Sequence, residues 1–209
     1  MAKRKVERTA DQQFEMPEGA TPLDANEMQG LLIDTITTQA ELNFAEQQSI
    51  IESSKWIFET NHKNILTDQF FKRLHKKMFQ SVWKWAGSYR TTNKNIGVQP
   101  YEVSSEIKKL CDDCEYWIEN QTYDWTEIAA RFHHKVVWIH PFANGNGRFS
   151  RILTDILLKK HNQSTLTWGR KTFSRDDFST EPALRTEYIL SLREADNKKF
   201  QKLIYFIRN

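Results

Sequence analysis

A nine-residue stretch, HPFANGNGR at 140–148, separates two segments with helical periodicity and restricts how the chain can fold around it. The segment 126–139 carries apolar residues at helical spacing, and a further helix is expected over about 145–160. Because the first N–H groups of a helix lack intrahelical partners and lie at its positive dipole end, they stabilise a bound phosphate. Gly145 and Gly147 let a ligand approach this backbone closely. The stretch therefore predicts an anion-binding turn between two helices.

Charged residues around this turn indicate the chemistry of the bound anion. Arg148 and Arg151 fall on one side of the second helix. Two guanidinium groups suit a polyphosphate, because each binds phosphate oxygens bidentately. His140, with an ordinary pKa of about 6.5, is suited to act as a general base at neutral pH. A His-Pro pair or a glycine turn alone is more typical of an ordinary helix end, but the full arrangement favours phosphoryl or nucleotidyl transfer to a hydroxyl.

The remaining pattern predicts an all-α bundle with one β-like excursion. Residues 86–103 break the helical pattern with two glycines, a proline and intervening β-branched residues, which is typical of a small β-hairpin or an extended flap. The other helices are expected over residues 21–33, 37–60, 67–80, 104–120, 183–193 and 198–207.

The charge balance argues against a protein whose main task is to bind nucleic acid. The formal net charge is +3, and four basic residues less one acidic residue supply +3 within residues 1–8, so the remainder sums to zero. Such a body lacks the broad basic face that nucleic-acid binding requires. The basic N-terminus is expected to be a solvated tail.

The apolar residues and cysteines predict a cytoplasmic protein with no membrane partner. The chain has no apolar run of the roughly 18 residues that a membrane span needs, and no apolar stretch follows the N-terminal basic residues as in a secretory signal. The two cysteines, Cys111 and Cys114, suit a reducing compartment. Their CxxC spacing lies on an apolar helical stripe without a second ligand pair, so they are expected to be small buried residues rather than zinc ligands.

The pattern H-P-F-x-x-G-N-G-R-x-x-R at 140–151 resembles the signature of the Fic (filamentation induced by cAMP) family. The segment KWAGSYRTTNKNIGV at 84–98 resembles the one leading into that family's substrate-binding flap, and the resemblance covers about residues 60–205. The N-terminal stretches GATPLD and ITTQAELN further resemble the subgroup called mobile mystery protein B, found on bacterial mobile elements. The resemblance implies a Fic-type helical bundle with a small β-hairpin flap. It also implies a flexible tail at 1–20, N-terminal helices at 21–60 and a catalytic core at 61–209.

The resemblance also implies roles for the motif residues. His140 would be the base that takes the proton of the target hydroxyl. The residues expected to bind the nucleotide are Asn144, Gly145, Asn146, Gly147, Arg148 and Arg151. The backbone at 145–147 would form the anion hole for the α- and β-phosphates, and the Asn146 side chain would help to hold the α-phosphate. Arg148 would meet the β-phosphate and Arg151 the γ-phosphate, with ATP as the substrate.

The expected target-binding flap lies at Ile96, Gly97 and Val98. By resemblance, this segment would bind the target protein by adding part of it as a short strand, a recognition mode that uses main-chain hydrogen bonds.

Asn144 departs from the family pattern, which usually has Asp or Glu at this position as a direct ligand of Mg²⁺. An amide oxygen can ligate a hard cation but adds no formal charge. The expectation is weaker binding of Mg²⁺, or a preference for another ion such as Mn²⁺, at Asn144. A slow or disabled transferase is the alternative.

The segment 37–43, TTQAELN, resembles the family's inhibitory motif, with Thr37, Glu41 and Asn43 at the matching positions. In the family this glutamate pairs with the second motif arginine and blocks the γ-phosphate, so the pair here would be Glu41 with Arg151. The same residues also fit a capping box with Thr38, in which Glu41 would only satisfy its own helix.

The sequence as a whole predicts a protein adenylyltransferase that transfers AMP from ATP to a Ser, Thr or Tyr hydroxyl of a target protein, restrained by its N-terminal helix. Removal of AMP, or transfer of another phosphate-containing group, by the same site is a second interpretation. A catalytically silent nucleotide-binding or interaction module is a third. A homo-oligomer is left open as a further partner, and nucleic acid is not expected as one.

Overall fold

The computed structural model describes residues 21–170 and 182–209, so the predicted tail at 1–20 lies outside the described residues. The helices, in chain order, are α1 Ala25–Met28, α2 Gln39–Glu52, α3 Ser54–Glu59, α4 Asp68–Phe79, α5 Val103–Glu119, α6 Trp125–Ile139, α7 Asn146–Lys160, α8 Pro182–Asp196 and α9 Gln201–Arg208. A short 3₁₀ turn, Pro100–Glu102, precedes α5. The described residues contain no strand, which confirms the predicted all-α class.

One hydrophobic core includes residues of every helix from α2 through α7, so the N-terminal helices are packed into the same body as the turn at 140–148. The predicted apolar stripe of α4 is fully buried: Phe70, Phe71, Leu74 and Met78. Phe149 of α7 meets Phe71 edge-on, with ring centroids 5.8 Å apart. A second cluster, centred on Trp168, packs α8 and α9 against this body. The turn at 140–148 is therefore held between large buried rings.

Two predicted helices are shorter than expected because long-range hydrogen bonds compete with the helical ones. The helix expected over 21–33 is reduced to α1, since Leu32 N donates to Val82 O at 2.8 Å and Lys84 N to Gly30 O at 2.8 Å. The helix expected over 37–60 is divided into α2 and α3 at Ser53, whose hydroxyl binds the carbonyl of Lys77 on α4.

The predicted β-hairpin at 86–103 is not formed; the described chain runs through turns, bends and irregular backbone up to residue 99, and the 3₁₀ turn Pro100–Glu102 and α5 follow. Its backbone groups bond to the Arg90 guanidinium and to the segment at 139–141 instead of to each other. Arg90 donates to the carbonyls of Thr92 (3.0 Å), Val98 and His140 (2.6 Å). One side chain thus organises the loop by satisfying carbonyls that a hairpin would have paired.

Candidate active site

His140 ends α6 in a left-handed conformation, with φ 53° and ψ 62°. Glycine is the usual residue in this region, and a histidine there persists only when its surroundings hold it. Arg90 supplies that hold, since its Nε donates to the His140 carbonyl and its N–H donates to Pro141 O at 3.0 Å. These bonds hold the strained backbone of residue 140 next to the loop at 86–103.

The His140 imidazole is buried and neutral at physiological pH. Burial, and then the nearby charge of Arg90, lower its pKa from 6.5 to about 4, and the Val137 carbonyl opposes this more weakly. Nδ1 is buried without a hydrogen-bond partner among the described residues, and in the tautomer with the proton on Nδ1 the ring presents a free lone pair at Nε2. Nε2 lies 3.0 Å from Oγ1 of Thr21. The side chain therefore has the protonation state of a general base and already faces a hydroxyl.

The helix α7 begins at Asn146, a few residues after His140. Gly145 caps it with φ 78°, and a Cβ at that position would lie 2.6 Å from the Phe79 ring. At Gly147 a Cβ would meet only Arg151 Nη1, at 3.7 Å, so packing does not demand glycine there. The open space around Gly147 leaves the backbone free for close approach by a ligand, as the sequence predicts for an anion site.

The Asn146 side chain stabilises the turn itself. Its Oδ1 accepts from Phe142 N at 2.9 Å and its Nδ2 donates to Phe142 O at 2.7 Å, and the residue is buried. The predicted contact of this side chain with an α-phosphate would compete with two internal hydrogen bonds. In this structure Asn146 instead holds the loop in the shape that exposes the backbone of α7.

His75 of α4 contacts the turn at 140–148 through a hydrogen bond and a stacked ring. Its Nδ1 accepts from Gly87 N at 3.0 Å, so Nε2 carries the proton and donates to the Asn144 carbonyl at 3.1 Å. The ring stacks on Phe142 with centroids 3.7 Å apart, and burial lowers its pKa to about 3. The sequence offered little sign of this role, because a histidine on an apolar helix face is usually a packing residue.

Glu46 is a residue of the candidate site that the sequence analysis did not single out. Its carboxylate is buried and accepts hydrogen bonds from Trp83 Nε1 at 2.6 Å, from Asn144 Nδ2 at 2.9 Å and from Arg148 Nη2. The signal was present in the chain, since Glu46 lies between Leu42 and Ile50 on the buried stripe of α2. A lone acid on an apolar stripe requires a polar partner.

Glu41 and its predicted partner Arg151 are not brought together. Glu41 is exposed, and its carboxylate accepts from the backbone N–H groups of Thr37 (2.8 Å) and Thr38 (3.0 Å), which lower its pKa. Together with Thr38 it completes the capping box of α2. Asn43 accepts from Gln39 Nε2 at 2.9 Å on the same helix. The acid and arginine that meet across α2 and α7 are Glu46 and Arg148.

Of the predicted flap residues, Gly97 lies against His140. Gly97 has φ 101°, and a Cβ there would lie 2.7 Å from His140 Cβ, so only glycine fits. Val98 N points to Ile139 O at 3.4 Å, while the Ile96 side chain is exposed. The loop thus packs against His140 through Gly97.

Two other sequence expectations concern metals and membranes. Cys111 and Cys114 are buried free thiols, as predicted, and burial raises the pKa of Cys111 to about 12. Within residues 21–170 and 182–209, the acidic, histidine and cysteine side chains do not form a group of three or more that could hold a metal ion. Across the same ranges, every helix falls short of the length or apolarity needed to cross a membrane.

Comparison with known proteins assigns the motif to a family. Residues 65–158 match the model of the Fic/DOC family. The protein adenylyltransferase fic-1 of Caenorhabditis elegans is 35% identical over 111 residues, covering 50% of this chain and 21% of the relative. The protein adenylyltransferase Fic of Nematostella vectensis is 31% identical over 78 residues, covering 36% and 18%. The chain therefore spans about a fifth of the length of these relatives.

The fold agrees with solved Fic structures at low identity. The N-terminal FIC domain of Bep8 from Bartonella sp. 1-1C aligns with TM-score 0.64 and 16% identity, covering 84% of this chain and 88% of that one. A Fic-domain signaling protein from Bacteroides thetaiotaomicron aligns with TM-score 0.63 and 16% identity, covering 89% and 76%. At such identity the likeness concerns the fold alone. The match of residues 65–158 to the Fic/DOC family model is the evidence for a Fic/DOC domain there, and the shared fold agrees with it.

Proposed function

We propose that this chain, as a member of the Fic/DOC family, is a protein adenylyltransferase that moves AMP from ATP to a Ser, Thr or Tyr hydroxyl of a protein. The observation that carries the proposal is the neutral imidazole of His140, with Nε2 at 3.0 Å from an alcohol oxygen and the N-terminus of α7 directly after it. A base next to a hydroxyl, beside a helix N-terminus with two arginines, has the parts that nucleotidyl transfer needs.

The proposed reaction uses the chain's own groups in sequence. The hydroxyl proton passes to His140 Nε2 as the hydroxyl oxygen attacks the α-phosphorus of ATP, and pyrophosphate leaves. The backbone N–H groups at 145–147 stabilise the charge on the phosphates. Arg148 and Arg151 bind the β- and γ-phosphates.

The metal in this proposal is Mg²⁺ or Mn²⁺, held mainly by the phosphates of ATP, as is common for magnesium. Asn144 is the protein residue that would contribute an oxygen, and its amide oxygen already accepts from Gly145 N at 2.6 Å. The ion would supply positive charge to the polyphosphate. An amide at 144 also suits its neighbour, because it donates to Glu46, whereas a carboxylate would repel it.

Restraint by the N-terminal helices, with residues 21–60 acting on a core at 61–209, is part of the proposal. Its support is the buried Glu46, which binds the guanidinium of Arg148 that the β-phosphate requires. ATP must displace this carboxylate before Arg148 can bind it. The exposed Glu41 is retained only as a helix cap, so the brake is assigned to Glu46 in its place.

A silent nucleotide-binding module is the second candidate, favoured by the amide at Asn144 in place of the family's usual acid. This module would bind ATP and transfer nothing.

Parallel incubations with α-labelled and γ-labelled ATP test the proposal, using wild type, Glu46→Gln and His140→Ala. Label retained in protein from the α position alone, and lost in His140→Ala although that variant still binds ATP, is the expected result. Label from the γ position would indicate phosphorylation and contradict the assignment. ATP binding with no labelled protein in wild type or Glu46→Gln would establish the silent module instead.

A further inference from the structure

The hydroxyl that faces the catalytic histidine belongs to this chain. Thr21 Oγ1 lies 3.0 Å from His140 Nε2, although the two residues are 119 positions apart. That distance is within the 2.6–3.2 Å or so expected between a nucleophile and its general base. Thr21 is half-buried and His140 is buried.

The segment that carries Thr21 is held along the loop at 86–103 by several independent contacts. Lys94 Nζ donates to Pro22 O at 3.2 Å and also pairs with the Glu27 carboxylate. Thr92 Oγ1 donates to the same carboxylate at 3.0 Å, and Trp85 Nε1 donates to Glu27 O at 2.9 Å. Residues 21–27 therefore lie beside the loop to which the resemblance assigns target binding.

The hydrogen bond has the polarity that transfer requires. In the tautomer of the neutral imidazole that carries its proton on Nδ1, Nε2 is the acceptor and the Thr21 hydroxyl the donor. Pro22 keeps Thr21 out of the helical conformation, because a residue before proline is pushed towards extended backbone. The hydroxyl thus stands in front of α1, whose own cap is Asp24.

We propose that Thr21 is a self-modification site, the acceptor of AMP from the chain's own active site. This inference rests on the proposed adenylyltransferase function. The Thr21 oxygen forms a bond to the α-phosphorus of ATP, the bond from that phosphorus to the bridging oxygen breaks, and pyrophosphate leaves with the electron pair. The hydroxyl proton goes to His140 Nε2. The product is a phosphodiester between Thr21 and AMP.

The modification would also change the cleft. A Thr21 that carries AMP can no longer donate its hydroxyl proton to His140 Nε2, so the hydrogen bond that joins residue 21 to the base is lost. The contacts of Lys94 with Pro22 and of Trp85 with Glu27 do not involve this hydroxyl and would remain.

Mass spectrometry of the full chain after incubation with α-labelled ATP and Mg²⁺ tests the site. The variants are Thr21→Val, which removes the hydroxyl, and Thr21→Ser, which keeps it. Thr35→Val is the matched control, since Thr35 is exposed in a turn away from these contacts. All four chains are also compared in a Glu46→Gln background, in which Arg148 is free for ATP.

The expected result is AMP on the peptide containing Thr21 in wild type, Thr21→Ser and Thr35→Val, with at least a tenfold loss in Thr21→Val. The initial rate per molecule should not depend on protein concentration, because each Thr21 faces its own His140. Equal labelling of Thr21→Val, or label mapped only to other residues, would overturn the proposal. So would labelling of a His140→Ala chain by wild type at the rate of wild type alone.

The two proposals fail in different ways. If added proteins accept label while Thr21 does not, the adenylyltransferase function stands and the Thr21 contact is a structural latch. If no protein accepts label from any of the chains, the proposed function is wrong and the Thr21 assignment is wrong with it.

Discussion

Replacing Glu46 by glutamine would distinguish its proposed inhibitory contact with Arg148 from its structural role in the core. Glu46 is 1% exposed and its partner Arg148 is 24% exposed, so the pair is shielded on one side only. Glutamine keeps the shape and one acceptor oxygen but removes the charge. A hydrogen bond to a charged group contributes about 1.5–3 kcal/mol, and Arg148 loses one such bond. We expect the free energy of unfolding to fall by about that amount in urea denaturation.

The same loss should appear as a gain in ATP affinity. Under the proposed restraint, ATP binds Arg148 only after the Glu46 contact breaks, and the free energy of that contact would be subtracted from binding. With a tenfold change in Kd for each ~1.4 kcal/mol, Glu46→Gln should bind ATP about ten- to a hundredfold more tightly. Isothermal titration calorimetry with Mg²⁺ and ATP measures this directly, and labelling with α-labelled ATP should rise in parallel.

Glu52→Gln is the matched control, since Glu52 is exposed at the end of the same helix. It should change neither stability nor ATP affinity measurably. If Glu46→Gln loses stability but binds ATP like wild type, Glu46 serves only the core through Trp83, and the reasoning for a brake is refuted. A matching gain in Glu52→Gln would show that the effect comes from net charge alone.

Three further outcomes are expected. Asn144→Asp should lower the Mg²⁺ concentration needed for half-maximal labelling, and an unchanged magnesium titration would remove residue 144 from the metal site. The same substitution should lower stability more when Glu46 is present than in a Glu46→Gln background, because two carboxylates would then face each other. Glu41→Ala should lower the urea midpoint of unfolding, because the capping box of α2 is lost, and should leave the Kd for ATP unchanged. Burial lowers the pKa values of His75, His133 and His140 to about 3, 3 and 4. As the pH falls, these imidazoles therefore bind protons in the unfolded chain at a higher pH than in the folded one. The melting temperature should therefore fall as pH drops from about 6.5 towards 4; a constant value over that range would contradict the buried neutral imidazoles.

The helices were predictable because their apolar residues recur at helical spacing. The stripe of α4 and the buried cysteines of α5 follow directly from that period. The break at Ser53 was not predictable, because it depends on a bond to a carbonyl of another helix. The absence of a hairpin in the described loop depends likewise on Arg90, whose partners at 139 and 140 lie about fifty positions away.

The sequence by itself determined the turn at 140–148, because its glycines, its histidine and the following helix act within a few residues of each other. It also contained the capping box of Glu41, a local pattern that the structure forms. Only the tertiary structure decided which acid meets a motif arginine, since Glu46 and Arg148 are 102 positions apart. It likewise decided that Thr21 meets the base. Contacts across such separations depend on how helices pack, and short-range spacing carries no information about that.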